Sequence, residues 1–538
     1  MNFIKPILFT ALTATLLTSC GGGAKIISTP IENIDTAPLK VSDLNETQKQ
    51  TWGHLDLISD TIPGMSVEKA YTEIIKDNKG TKVIVAVIDS GIDIEHEDLD
   101  GVIWTNEKEI PGNGIDDDKN GYVDDIHGWN FLGDAYEEQL EFVRLLASGD
   151  TSNPDYARAE KEYEEEFGKY TNYKTQYDQL LQQLKGADDI ISAKLNKTDY
   201  NLADVEGIVT GDDEALTTAT AIAKYILGLG FDDVNAAKED LQNGVKSISD
   251  RLNYNLNKDF KGRTTGDDIN DLTDTGYGNA NVLPTVDSES HGTHVTGIIA
   301  AERNNGLGAN GVANNVEIMS LRVVSNGDEY DKDVALGIRY AVDNGAKVIN
   351  GSFGKYYSPH SDWVRDAIAY AAKNDVVLVM AAGNEGIDLD KNDHHYPTDN
   401  INNGPEISDT FISVGALAPK YGPEMVAGFS NYGKINVDVF APGAQIYSTV
   451  PGSDKYKTMG GTSMASPAVA GVAALIRSQF PKLSAAQVKQ VILDSGLPIK
   501  IKVIVGGDAN NEQPFDTLSK SGKMVNAYNA LIMASKLK

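Results

Sequence analysis

Residues Val83 to Ile88 read Val-Ile-Val-Ala-Val-Ile, an unbroken apolar run rich in β-branched side chains. A strand of that composition has no face to turn to water and must be covered on both sides, the environment of a parallel sheet with helices above and below. Related runs recur at Val348-Ile349, Val376 to Met380 and Phe411 to Val414, with helical patterns between them at Val334 to Asn344 and Trp363 to Asn374. The alternation predicts an α/β domain with a mostly parallel sheet. The first run ends in Asp89-Ser90-Gly91, which sets a carboxylate at the carboxyl edge of the sheet, where α/β folds hold ligands. Taken alone, that carboxylate fits an ordinary turn or helix cap equally well.

Two further motifs follow in chain order. His291-Gly292-Thr293-His294-Val295-Thr296-Gly297 precedes the apolar run Ile298 to Ala301, so a histidine stands at the start of a helix. A metal pair at His291 and His294 is the alternative, but ligating histidines on a helix usually sit at i, i+4 beside a Glu, and the pattern here favours a general base. Gly460-Gly461-Thr462-Ser463-Met464-Ala465-Ser466-Pro467 then opens another apolar helix and puts a serine at its amino end. There glycines admit a substrate backbone, and free N–H groups favour developing negative charge.

Asp, His and Ser in this order, each in such a setting, resemble the subtilisin-like catalytic arrangement and differ from the chymotrypsin and α/β-hydrolase orders. With Val-Ala-Val-Ile-Asp89-Ser-Gly-Ile, the His291 and Ser463 motifs and Ala381-Ala-Gly-Asn384-Glu-Gly, the chain is identified as similar to the subtilase family of serine peptidases, peptidase family S8. The resemblance implies a subtilisin-like three-layer α/β fold and a serine endopeptidase working through an acyl-enzyme. Serine is a weak nucleophile at its free pKa, so His291 would take its proton and return it to the leaving amine, while Asp89 orients the imidazole. Asn384 is similar to the family's oxyanion asparagine. The substrate segments implied are Ser352-Phe353-Gly354 and Ala381-Ala382-Gly383, which would bind a protein or peptide chain by strand addition. The family often has glycine before the Tyr-Pro pair at its pocket floor. Here His395 precedes Tyr396-Pro397, which either shrinks the pocket, adds a polar contact, or plays no part in binding.

Asp116, Asp118 and Asn120, followed by Gly121, resemble the first half of an EF-hand loop. Asp124 completes the expected ligand set, with Asp125 as its substitute, although His127 falls where the loop's bidentate Glu belongs. Carboxylates gathered so closely repel one another without a cation, so structural Ca²⁺ is expected there rather than zinc. Asp98 and Asn305 are similar to ligands of the family's structural calcium.

The amino terminus carries Lys5, an apolar run from Ile7 to Leu17, then Leu17-Thr18-Ser19-Cys20-Gly21. This resembles a bacterial lipobox and predicts a signal peptide over 1–19 and a lipid on Cys20, the chain's single cysteine. The expected location is the cell envelope, with that lipid as the membrane attachment, and the polar stretch to about Asn45 is read as a tether. The remaining divisions are an extension within 20–65, a first catalytic segment over 66–133, a mainly helical insertion over 134–261 and a second catalytic segment over 262–538. The insertion lacks buried-strand runs, and Tyr163, Phe167, Tyr170, Tyr177, Leu181 and Leu184 form one stripe of a long amphipathic helix. That stripe predicts packing against a neighbour, and the insertion is a candidate interaction surface. A formal net charge of −31 opposes any broad grip on nucleic acid. Two other functions stay open: an anchored, non-catalytic binding protein that uses the insertion, and an esterase with the same triad.

Overall fold

Alternate residues of the first strand part company. Val83, Val85 and Val87 enter one apolar cluster while Ala86 and Ile88 enter another on the opposite face, the two-residue period of an extended chain. The computed structural model describes residues 26, 28–32, 34, 37–38, 40, 42–286, 288–392, 394–452 and 454–537. Its strands are β1 (Val83–Asp89), β2 (Gly128–Asn130), β3 (Val316–Arg322), β4 (Val348–Gly351), β5 (Val377–Ala381), β6 (Phe411–Leu417), β7 (Val439–Pro442), β8 (Ile446–Thr449), β9 (Tyr456–Met459), β10 (Leu497–Pro498), β11 (Lys502–Val505), β12 (Asp508–Pro514) and β13 (Lys523–Met524). Nine of them form one sheet in the order β10-β13-β7-β6-β5-β4-β1-β3-β2. Every neighbouring pair in it is parallel except β10 with β13. β8 with β9 and β11 with β12 are separate antiparallel pairs.

The helices are α1 (Glu46–Thr51), α2 (Val67–Ala70), α3 (Glu141–Ser148), α4 (Tyr156–Leu195), α5 (Leu202–Glu206), α6 (Glu214–Leu227), α7 (Val234–Asp250), α8 (His291–Ala300), α9 (Asp331–Asp343), α10 (Ser361–Lys373), α11 (Thr462–Gln479), α12 (Ala485–Ser495) and α13 (Ala527–Ala534). Side chains of α8, α11, α12 and α13 cover the sheet face that Val85 shares, and those of α9 and α10 cover the other. This is the three-layer α/β fold that the sequence predicts. α11 is buried at every position except Ser463 and Gln479, so a helix apolar all round lies inside the body with its amino end at the surface.

The sequence gives little sign of β3, because polar Glu317, Ser320 and Arg322 interrupt it. Arg322 is nonetheless fully buried. Its guanidinium donates to Ser90 O at 2.8 Å and Ala135 O at 2.9 Å and pairs with Glu289 at 3.0 Å, so the buried charge is compensated.

Helices α3 to α7 lie between β2 and α8. A small core of Leu184, Ile191, Ala223, Ile226, Val234 and Ala237 joins α4, α6 and α7. Phe142, Val143, Leu146 and Ala159 pack instead with Tyr357 of the body. The aromatic stripe of α4 packs as expected along most of its length. Leu181 and Leu184 are buried, and Tyr163 and Tyr170 pack partly buried against the cluster that holds Phe142, Val143 and Leu146 of α3, but Phe167 is 40% and Tyr177 38% exposed, so the stripe finds partners in two stretches and leaves these two rings partly open. The expected tether differs. Cys20 and the leader lie outside the described residues, but Ile34 is buried in an apolar cluster and Ile31 N donates to Asn529 Oδ1 at 2.8 Å. Trp52, also buried, donates its ring N–H to Gln445 O at 3.0 Å. The described part of 26–65 thus lies against the body.

Candidate active site

Parallel strands deliver their last residues to one edge. β5, β4 and β1 are neighbours in the sheet, and they end in Ala381, Gly351 and Asp89. The segments 382–384 and 352–354 and the Asp89 carboxylate therefore emerge together. Asp89 is 1% exposed, and its Oδ1 accepts from Ser90 N at 2.8 Å. His291, the first residue of α8, places Nδ1 2.7 Å from the same oxygen. A carboxylate only accepts, so the proton sits on Nδ1 and Nε2 is left as the acceptor. Gly292 allows this approach, because a Cβ there would stand 2.2 Å from Gly91 O. Burial lowers the His291 pKa, but the Asp89 charge and hydrogen bond outweigh it and hold the pKa above the ordinary 6.5.

Ser463 stands in the first turn of α11. Its Oγ donates to Ser352 O at 3.1 Å, while Ser352 Oγ donates to Ser463 O at 2.8 Å. That second bond has a cause in the chain. Pro467 has no N–H to offer the carbonyl four residues back, and Ser352 supplies the missing donor. Among the described residues no hydrogen bond joins Ser463 Oγ to His291 Nε2. Both groups line one cleft of about 430 Å³, and catalytic hydrogen bonds of this kind commonly tighten only when substrate binds.

Asn384 lies beside the serine. Its Oδ1 accepts from Thr462 N at 2.8 Å and from Thr462 Oγ1 at 3.1 Å, so the amide is oriented and its Nδ2 remains available as a donor. A Cβ on Gly461 would sit 3.6 Å from Ser463 N and 3.7 Å from Asn384 Nδ2. Glycine thereby keeps open the space that both donors border.

The cleft has two walls. Ser352, Phe353 and Gly354 lie on one side and Ala381 and Gly383 beyond them. Ala382 does not join them: it is fully buried, and its carbonyl accepts from Asn431 Nδ2 at 2.9 Å. His395 also lines the cleft. Its Nε2 would be 3.3 Å from a Cβ on Gly354 and 3.2 Å from one on Gly383, and that buried nitrogen has no hydrogen-bond partner. Burial pushes the His395 pKa down to about 4, against the pull of Glu385, so the ring is neutral near pH 7. The opposite wall, Val324 to Glu329, also lines the cleft and has no apolar signature in the sequence to reveal it. Within it Asn326 N donates to Tyr136 O at 2.7 Å and Asn326 O accepts from Glu138 N at 3.3 Å, and Tyr136 lines the cleft as well. His294 is not a metal ligand here: its Nε2 lies 3.1 Å from Ile446 O and 3.0 Å from Lys457 O.

The acidic loop is rearranged relative to expectation. Asp116 and Asp118 come together with Glu109, their ligand atoms all within 4.8 Å of one another. Glu109, which carries no motif, is 5% exposed, and its Oε2 has no partner. Asn120 is adjacent: its N–H lies 3.1 Å from both Asp116 Oδ1 and Asp118 Oδ1. Asp124 turns away and accepts from Gly114 N at 2.9 Å and Asn113 N at 3.2 Å. Asp125 is held by Asn106, Asn120 and Tyr340. Glu109 thus takes the place in the cluster expected of Asp124. A buried, unpaired carboxylate oxygen beside two other carboxylates fits a hard divalent cation. Asp98 and Asn305 do meet, Asn305 Nδ2 donating to Asp98 Oδ1 at 2.7 Å, and Asp98 Oδ2 accepts from Ala309 N at 3.1 Å.

The subtilase family (peptidase S8) model matches residues 80–520. The chain belongs to the subtilase family. It is 43% identical over 195 residues to the thermophilic serine proteinase of Bacillus sp. (strain AK1), covering 36% of this chain and 44% of that protein. Subtilisin DY of Bacillus licheniformis is 40% identical over 204 residues, 38% of this chain and 69% of its own length. Thermitase of Thermoactinomyces vulgaris is 40% identical over 190 residues, 35% of this chain and 61% of its own.

Proposed function

We propose that the protein is a serine endopeptidase that cleaves protein or peptide chains through an acyl-enzyme. The observation that carries this reading is the convergence of the Asp89–His291 pair, Ser463 and the Asn384 amide on one open cleft. His291 Nε2 takes the Ser463 proton as Oγ attacks the scissile carbonyl, and Asp89 stabilises the imidazolium that forms. The oxyanion is met by Ser463 N–H and Asn384 Nδ2, donors held in place before the reaction. His291 then returns the proton to the leaving amine, and water, activated by the same imidazole, clears the acyl group.

His395 narrows the cleft and presents a neutral nitrogen, which suits a short or hydrogen-bonding side chain better than a large aromatic ring. Glu109, Asp116, Asp118 and Asn120 would hold the structural Ca²⁺, which tethers the loop between β1 and β2 and takes no part in the chemistry. The lipobox resemblance supports a lipid on Cys20 and an envelope location. Among the described residues no helix is long and apolar enough to cross a membrane. Radiolabelled palmitate should be incorporated into the wild-type chain and not into Cys20→Ala; equal incorporation would remove the anchor.

The function is tested by hydrolysis of casein and of a short ester, each with wild type and Ser463→Ala. Wild type should cleave both and the variant neither. Ester cleavage without casein cleavage would favour an esterase, and no cleavage of either a binding protein.

A further inference from the structure

The two walls of the cleft are joined directly by Lys355 and a second time through the helical insertion. Lys355, which follows the Ser352–Gly354 wall, is buried and donates to Glu329 O of the opposite wall at 2.7 Å. It also donates to Glu141 Oε2 of α3 at 2.8 Å. Glu141 N in turn donates to Asp328 Oδ2 at 2.8 Å. Arg144, one turn along α3, donates to Asp328 O at 2.9 Å and Glu329 O at 3.2 Å and pairs with Glu141. Burial opposes the ionisation of Glu141, but Arg144 and Lys355 outweigh it and hold its pKa at about 2. The grip continues on α4. Arg158 donates to Tyr356 O at 2.9 Å and lies 3.6 Å from the centre of the Tyr357 ring, whose hydroxyl donates to Glu162 Oε2 at 2.6 Å.

These contacts are aimed at the cleft walls rather than at the reacting groups. Asp89, His291, Asn384 and Ser463 make no hydrogen bond or ion pair with 134–261 among the described residues. The wall segments are also irregular, lying after the last residues of β3 and β4; Val324 N still donates to Asp89 O at 3.2 Å, but Asn326 and Asp328 pair with 136–139 instead of the sheet. An extended peptide bound between the walls needs their separation set to within a fraction of an ångström.

We propose that the α3–α4 part of the insertion is a positioning brace that sets the spacing of the two substrate walls, with Glu141, Arg144, Arg158 and Glu162 as positioning residues. The inference rests on the peptidase reading and deepens it: the insertion governs binding of long substrates and leaves bond chemistry alone.

Glu141 and Arg144 belong to a buried charge cluster whose disruption threatens folding, so the test uses the more exposed grip. Arg158→Ala is compared with wild type on a hexapeptide amide and a single-residue ester, with thermal melting measured beside them. The expected result is a hexapeptide KM about fivefold to tenfold higher with kcat within about twofold, and an ester KM within about twofold. Arg158→Lys should recover most of the change. Glu162→Gln should give the same split at smaller size, and it decides the question if Arg158→Ala does not fold. A hexapeptide KM within about twofold of wild type, or an equal rise for peptide and ester, would overturn the brace. A wild-type protein inactive on both substrates would overturn the peptidase reading itself.

Discussion

The catalytic body and the helical insertion are held together by different forces. In the body, β5, β6 and β7 are buried at every position and α11 at nearly all of its own. In the insertion, α4 has 40 residues, of which only Ala159, Leu181, Leu184, Ala187 and Ile191 are buried. Side chains at the ends of fully buried strands have nowhere else to go, so the body's sheet fixes the chemical groups by close packing. The insertion reaches the cleft walls through charged and polar side chains beside one apolar contact on Tyr357, and its outer half has a small core of its own. Changes in the body should therefore strike chemistry and stability together, whereas changes in the outer insertion should spare the chemistry.

The largest effect expected is at Asp89. Asp89→Asn should lower kcat about 10⁴-fold, because it removes the charge and offers Nδ1 an amide donor that holds the wrong His291 tautomer. It also carries a pH signature. His291 must be neutral to act as a base, and Asp89 holds its pKa above 6.5, so the acid limb of kcat/KM should have its midpoint above 6.5 in the wild type. In Asp89→Asn only burial remains, and the limb should move to lower pH. A limb that stays in place would detach Asp89 from His291. The linkage has a matching sign: stabilisation from this pair is complete below the unfolded histidine pKa of 6.5 and is lost as pH rises through the folded value.

Asn384→Ala comes next. Loss of one oxyanion donor should reduce kcat about 10²–10³-fold with KM little changed, measured by steady-state kinetics on a peptide amide. Equal turnover would exclude Asn384 from the mechanism.

Leu184→Ala sharpens the comparison from the other side. The side chain is fully buried between insertion helices, so its loss should cost about 2–5 kcal/mol of local stability. Hydrogen exchange should quicken in α4, α6 and α7 while kcat stays within about twofold of wild type. Parallel loss of exchange protection in β1 and β4 would show that the two regions unfold as one.

The smallest expected effect is that of chelation. EGTA should lower the melting temperature by several degrees and added Ca²⁺ restore it, since a ligand present at 100 times its Kd adds about 2.7 kcal/mol. Glu109→Gln should abolish the response; a melt indifferent to both would remove the cation.

The sequence reveals most where burial and chemistry coincide. β1 and α11 are legible because both faces, or the whole circumference, are apolar, and Asp89, His291, Asn384 and Ser463 follow them at fixed offsets. Glu109 is hidden because it reaches the Asp116–Asp118 cluster from outside the loop that carries the motif. The Val324–Glu329 wall is hidden because its role depends on backbone position and not on side-chain type. Ala382 is misplaced for the opposite reason: it adjoins cleft residues in the chain, but its side chain points into the core. The brace is invisible in one dimension, since Lys355 and Glu141 are 214 residues apart.

On the peptidase reading, Ser463 is an activated nucleophile in a preformed oxyanion site. The most direct test is reaction of the folded protein with a fluorophosphonate, followed by peptide mapping at several pH values. The prediction is a single adduct on Ser463 that forms faster as His291 loses its proton and is absent from Ser463→Ala. A folded protein that leaves Ser463 unmodified, or an adduct on another residue alone, would contradict it.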